Sequence, residues 1–406
     1  MGNRVRVGRK GIGATGFCLN MVLGLVYAWS LFSGPLEATF GGTAVDTSRV
    51  FSVSMMGLCL GHLASGWLSS RLPSRGVMLM ASGFAAAGFA LSSAATGFGW
   101  LTVSYGVLCG FATGLGANCV MNTVLPWFAD RKGLASGVLL AGVGLGPLVL
   151  GPAVGALIAH AGWRAAFAVL AGAVGGLLAL GALVLRRPVD EGAGKQAAGP
   201  VDAAGAVGSF TTAQMLRTRA FWLFFCWIVL VSSGGLALIS NAVPAALDVL
   251  GSREAAAVAA ATGAMGALSG FNSVGRVVVG FLWDRLGPRG AMATVSAAFA
   301  TAMLLCAAAQ VMASFPLVVV GFLLLGASYG GAVSVGSALI SQFFGMGHYA
   351  LNYAVATLNV LVASCLGPTV SGFSSAMTGG YLAAYLALMV FAVASLLVAA
   401  GIRKPG

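Results

Sequence analysis

Apolar residues run through this chain in long stretches separated by short polar turns. Twelve stretches reach the length of about 20 residues that a bilayer crossing requires. They lie near 12–36, 47–69, 76–97, 101–128, 132–158, 164–186, 220–248, 255–283, 289–312, 315–344, 348–375 and 380–402. Between the sixth and the seventh, RRPVDEGAGKQAAGPVDAAGAVGSFTTAQMLRTR is polar and rich in small residues. It predicts a linker over 187–219 between two six-span domains, 1–186 and 220–406. The expected fold is all-α and membrane-embedded, with two pseudo-symmetric six-helix bundles.

Composition removes the soluble alternatives. The 406 residues are 59% hydrophobic and 7% charged, where soluble domains carry about 25% charge. The mean hydropathy of +0.97 and the 61 glycines suit helices packed closely in lipid. The net charge of +12 does not point to nucleic acid, because the basic residues sit at the ends of apolar runs. With the N-terminus placed inside, the outer loops hold Arg49, Arg164 and Arg253, one arginine (Arg276) lies within a run, and the rest of the 21 Lys and Arg fall inside. That asymmetry predicts both termini in the cytoplasm and an inner or plasma membrane location. The basic start RVRVGRK leads into a run too long for a cleaved leader, so an uncleaved first span is expected. The seven cysteines show no CxxC spacing, and no nucleophile–base set, metal cluster or phosphate loop stands out. An enzyme, a cofactor and a metal are therefore not expected; a monomer in the lipid bilayer is.

The two halves echo each other. GWLSSRLPSRG (66–76) follows the second run and GFLWDRLGPRG (280–290) follows the eighth, 214 residues later. Both read G-x-L-x-x-R-L-x-x-R-G, which argues for duplication of a six-span unit. These loops resemble the cytoplasmic loop motif of the major facilitator superfamily, and the resemblance covers the whole chain. It implies the major facilitator fold and a conformational latch made of Asp284, Arg285 and Arg289, with Arg71 and Arg75 in the first copy. The first copy departs from the motif: Ser70 stands where the acid would be and Pro73 where the glycine would be, which implies a weaker latch.

Within the superfamily, GLVYAWSLFSGPLEATFG (24–41), WFADRKGLASGVLLAGVGLGPLVLGP (127–152) and the segment around Arg276 resemble the oxalate/formate antiporter-like group, which is related to monocarboxylate porters. The resemblance implies exchange or cotransport of small carboxylates, with Arg276 as the substrate contact and Tyr27 and Tyr329 as the matching tyrosines. Two departures matter. The eleventh run holds Asn359 and Val360 where the oxalate subgroup carries a lysine, and Asn272 stands where monocarboxylate porters carry an Asp.

All nine acidic residues lie at run ends or in loops. Asp284 is about 12 Å along the helix from Arg276, too far for a direct pair. A charge at the bilayer centre costs roughly 2.5–3.5 kcal/mol, and an arginine cannot shed its proton. A bound carboxylate would offset that cost, because it matches the two-pronged guanidinium. The alternatives are that Arg276 snorkels to the surface or bonds carbonyls of a neighbouring helix. Asn272 and Ser273 lie one turn before Arg276, and Asn118 punctuates the fourth run. The candidate substrate contacts are thus Arg276, Asn272, Tyr27, Tyr329, Asn118 and Asn359. Candidates for moving a proton are His62, the one histidine deep in a run, and the run-end acids Glu37, Asp248 and Glu254. The glycine pairs Gly142/Gly146, Gly151/Gly155 and Gly266/Gly270 are expected to mark helix contacts.

The sequence therefore points to a secondary transporter with a midplane cavity, moving a small monocarboxylate or related organic anion by alternating access. The partner ion, a proton or a counter-anion, stays open. Efflux of amphipathic compounds and a membrane sensor that binds a solute without moving it are the competing readings.

Overall fold

The computed structural model describes residues 8–42, 44–188, 209–252 and 254–405. Most of the expected linker, 189–208, lies outside the described residues. Among the described residues the secondary structure is helical throughout. Ten of the described helices are long and apolar enough to cross a membrane. Two of them are double length. Lys132–Val184 is broken at Gly162 (φ 81°) and Ala255–Met312 at Gly287 (φ 73°), so each supplies two spans and the total is twelve. Glycine suits both breaks because a side chain would clash in that left-handed backbone region. Pro288 follows directly and starts the ninth span, where its missing N–H is harmless.

Several spans depart from the plain α-helix that apolar length alone predicts. The first, Arg9–Phe40, tightens to 3₁₀ geometry over Gly24–Trp29, the turn that carries Tyr27. The fourth, Phe98–Phe128, widens to a π-helix over Thr102–Cys109. The eleventh is split at Leu358 into Tyr349–Thr357 and Asn359–Thr378.

The chain forms two compact units. The first contains the described residues of Met1–Ala135, Gly142–Thr212 and Phe344–Thr357; the second contains Ser136–Ala141, Ala213–Phe343 and those of Leu358–Gly406. In the first unit, the second span (Ala44–Leu68) and the fourth approach backbone to backbone. A Cβ on Gly61 would overlap the Phe111 carbonyl, and one on Gly114 would overlap the Leu58 carbonyl. In the second unit, the eighth span (255–286) and the tenth (Phe315–Phe343) do the same. There Gly275 meets the Ala327 carbonyl and Gly330 the Asn272 carbonyl. Gly61 and Gly275 are separated by the same 214 residues as the repeated loops, so the duplication extends from sequence into packing.

The glycine expectations are corrected in part. Gly142 and Gly146 do meet the first span, at the Phe17 and Met21 carbonyls. Gly155, Gly266 and Gly270 have open space where a side chain would stand. Spacing of four places two glycines on one face, but helix rotation decides whether that face meets a neighbour.

Candidate functional site

Arg276 lies half-buried on the eighth span, about three turns before its end. Its Nε donates to Asn272 Oδ1 at 3.1 Å and its Nη1 to the main-chain oxygen of Leu140 at 2.5 Å. The first bond stays on the same helix, where residues four apart are neighbours, and it fixes the plane of the guanidinium. The second reaches the segment Ser136–Ala141 of the same unit. That segment seats closely because Gly137 presents no side chain to the Arg276 carbonyl. Ser136 Oγ adds a bond to the Ser334 carbonyl at 3.2 Å, and Ser334 Oγ donates to the Arg276 carbonyl at 2.9 Å. Of the arrangements the sequence left open, a carbonyl of a neighbouring helix is thus an observed acceptor. Tyr329 lies within electrostatic reach of the guanidinium. Its ring stands against Gly235 of the seventh span, Arg219–Leu250. Asn272 and Ser273 are buried beside Arg276. Asn359 opens the second piece of the eleventh span, where its Oδ1 accepts from Ser232 Oγ at 3.5 Å. The second unit therefore brings Arg276, Asn272 and Tyr329 together, with Asn359 on a separate bond.

The remaining candidates belong to the first unit. Asn118 is fully buried, and its Nδ2 donates to the main-chain oxygens of His62 at 2.8 Å and Ala350 at 2.9 Å. Both amide protons are committed to tying helices together. Tyr27 is 40% exposed and meets Phe51 edge-on, with ring centroids 6.4 Å apart. His62 is buried, with Nδ1 3.1 Å from the Leu58 carbonyl and its ring edge-on to Tyr353. By the 214-residue offset, His62 is the counterpart of Arg276 and Leu58 that of Asn272. Among the proton candidates, Glu37 accepts from Thr47 Oγ1 at 2.8 Å, while Asp248 and Glu254 are exposed at helix ends.

Two of the arginines expected to form the latch lie over aromatic rings at a position the loop motif leaves open. Arg71 lies over the Trp67 ring at 3.6 Å and Arg285 over the Phe281 ring at 4.8 Å. Both aromatics sit four residues earlier, at equivalent positions of the repeat. Arg289 Nε reaches the Ile402 main-chain oxygen at 3.4 Å, while Arg75 and Asp284 are exposed. At the span ends, Arg9 pairs with Asp130 and lies over the Phe128 ring at 4.5 Å. The Arg9 hydrogen bond holds the Asp130 carboxyl below the usual carboxylate range.

The sequence profile of the Major Facilitator Superfamily matches residues 13–368. The chain belongs to that superfamily. It is a multi-pass membrane transporter, and its chemistry is binding and movement of solute without a catalytic step. It is similar to the oxalate:formate antiporter of Oxalobacter formigenes, 26% identical over 381 residues that cover 93% of this chain and 88% of that protein. It is also similar to human monocarboxylate transporter 11, 26% identical over 92% of this chain and 79% of the relative. The fold matches that of the Escherichia coli fucose:proton symporter FucP with a TM-score of 0.73, at 14% identity, covering 97% of this chain and 98% of that one.

Proposed function

We propose that this transporter moves a small organic anion with one carboxylate, and that Arg276 is its principal contact. The carrying observation is a permanent cation inside a membrane span, with its guanidinium plane fixed by Asn272. Such a group favours a planar, singly charged partner that accepts two parallel N–H bonds. Tyr329, which feels the charge of the guanidinium, is proposed to supply a phenol to the same anion. Asn359 and Tyr27 are proposed as further polar contacts. Asn118 ranks behind them because its amide protons are already used. The named carboxylate and formate transporters among its relatives support the substrate class. One interior cation at this position, with Asn359 and Val360 in the eleventh span, favours a monocarboxylate over a dicarboxylate. The six-span halves 1–186 and 220–406 are the proposed moving parts of an alternating-access cycle. Both termini are proposed to face the cytoplasm of an inner or plasma membrane, on the basic-residue count.

The test is uptake of labelled formate, acetate, lactate and oxalate into proteoliposomes. Monocarboxylate uptake is expected. Arg276→Ala is expected to reduce it roughly 30-fold or more, the effect of deleting one partner of a buried charge pair. Undiminished uptake by that variant, or competition by amphipathic cations in place of carboxylates, overturns the proposal.

A further inference from the structure

The breaks and ends of the second unit create a second basic feature, separate from Arg276. Where the ninth span begins at Pro288, the tenth ends and the twelfth (Leu382–Gly401) gives way to the terminal residues, a cavity of about 410 Å³ opens at the helix ends. Its polar lining is Arg289, Gln342, Arg403 and Lys404, and its apolar lining includes Leu286 and Phe343. Among these described lining residues there are three cations and no carboxylate. The cavity is ordered by a bond of its own, Arg289 Nε to the Ile402 main-chain oxygen, which draws the terminal Arg403 and Lys404 to the start of the ninth span. That helix start adds its partial positive charge to the same place.

Three cations lining one concave site repel one another and are stabilised by a bound oxyanion. The apolar wall narrows the choice of anion. Leu286 is 56% exposed at the rim, and it belongs to the last turn of a membrane span. A cavity with cations within and an exposed leucine at its lip, set at the end of a membrane helix, matches the two ends of a phospholipid. Basic pockets between transmembrane helices at the membrane surface bind anionic headgroups in this way. We propose that this cavity binds the phosphate of an anionic phospholipid, with its acyl chains leaving over Leu286. The occupied site ties the 284–289 turn to the chain terminus through one anion. The lipid therefore acts on the same turn as the Asp284–Arg285–Arg289 latch, without contacting Arg276.

Thermal unfolding of the purified full chain in neutral detergent tests this. Three additions are compared: phosphatidylglycerol, phosphatidylcholine and inorganic phosphate. Phosphatidylglycerol is expected to raise the midpoint, because a ligand that binds only the folded state stabilises it. Phosphatidylcholine and inorganic phosphate are expected to leave it near the starting value. The double variant R403Q/K404Q is expected to lose roughly half of the shift or more. Q342E, which places an anion in the cavity while leaving every cation, is expected to lose it as well. R131Q/K132Q, which removes two cations from a different loop, is expected to keep it. An equal shift with inorganic phosphate overturns the lipid assignment in favour of a free-phosphate site. An equal shift with phosphatidylcholine, full retention of the shift by both R403Q/K404Q and Q342E, or its loss in R131Q/K132Q overturns the site altogether.

Discussion

Arg276 donates from Nη1 to the main-chain oxygen of Leu140 at 2.5 Å. One turn earlier, Gly137 lies against the Arg276 carbonyl. Backbone and side chain of a single residue thus hold the same segment of the fifth span. A guanidinium offers five N–H donors. Under the proposed function, an arriving carboxylate draws on the donor set that also grips Leu140, so substrate binding and this helix contact share one group.

Arg276→Lys separates charge from geometry. The ammonium keeps the cation but loses the planar fork that a carboxylate accepts. Uptake is expected to persist with the apparent KM raised about tenfold, the scale of one charge-assisted hydrogen bond. Initial-rate kinetics in proteoliposomes check it, and an unchanged KM would show that the fork is not used.

The paired helix contacts predict unequal effects of identical substitutions. A methyl on Gly275 meets the Ala327 carbonyl, whereas one on Gly266 meets open space. Gly275→Ala must push the eighth and tenth spans apart, and overpacking of this kind costs about 1–3 kcal/mol. Gly266→Ala is expected within about 0.5 kcal/mol of the parent chain. Reversible unfolding in detergent compares them, and equal effects would contradict the packing.

These glycines show where sequence reading succeeds and where it stops. Apolar run length located the spans, and the structural breaks at Gly162 and Gly287 fall between the runs 132–158 and 164–186 and between 255–283 and 289–312. Length carries no information about rotation, so spacing singles out Gly266/Gly270, while the closer approaches are made by Gly110/Gly114 and Gly326/Gly330. Repeating the loop offset of 214 residues along the helix would have found Gly61 and Gly275 and paired His62 with Arg276. Leu140 was beyond reach because its contribution is a main-chain oxygen, which any residue type supplies. The split at Leu358 is likewise hidden inside an apolar run, where Thr357 turns its hydroxyl back to the Ala354 carbonyl at 2.7 Å.

The Arg9–Asp130 pair predicts an acid limb in stability. The folded carboxyl titrates below the ordinary value, about 3.9 for Asp. Its contribution is therefore fully present above that value and is lost as pH falls through the depressed folded pKa. Both side chains are largely exposed, so the effect is small and sensitive to salt. The midpoint difference between the parent chain and Asp130→Asn is expected to be positive near neutrality and to shrink in strong acid. A difference independent of pH would rule the pair out as its cause.

Asn118 predicts a structural effect distinct from a substrate effect. Its amide donates to His62 and Ala350 main-chain oxygens inside the first unit. Bonds of this kind within membrane proteins are worth about 0.6 kcal/mol each on average. Asn118→Ala is expected to lower stability by about 1–2 kcal/mol, since two carbonyls lose their donor, while the KM for the transported anion stays near the parent value. Unfolding and initial-rate kinetics on one preparation separate the two, and a raised KM at unchanged stability would move Asn118 into the substrate site.

Asn272→Asp is the sharpest test of the Arg276 assignment because it changes charge with almost no change of shape. Asn272 Oδ1 already accepts from Arg276 Nε at 3.1 Å, so a carboxylate there meets the cation in place. The neighbouring cation favours the ionised form of the introduced acid. At neutral pH the introduced anion then competes with substrate for the guanidinium, and uptake is expected to fall about tenfold or more. When the pH falls far enough for the introduced acid to take up a proton, the competition ends and uptake returns. The variant therefore gains an acid-stimulated component beyond any pH dependence of the parent chain. Uptake measured across the acid range for both forms decides the matter. Parallel profiles for parent and variant would mean that the anion does not bind at Arg276.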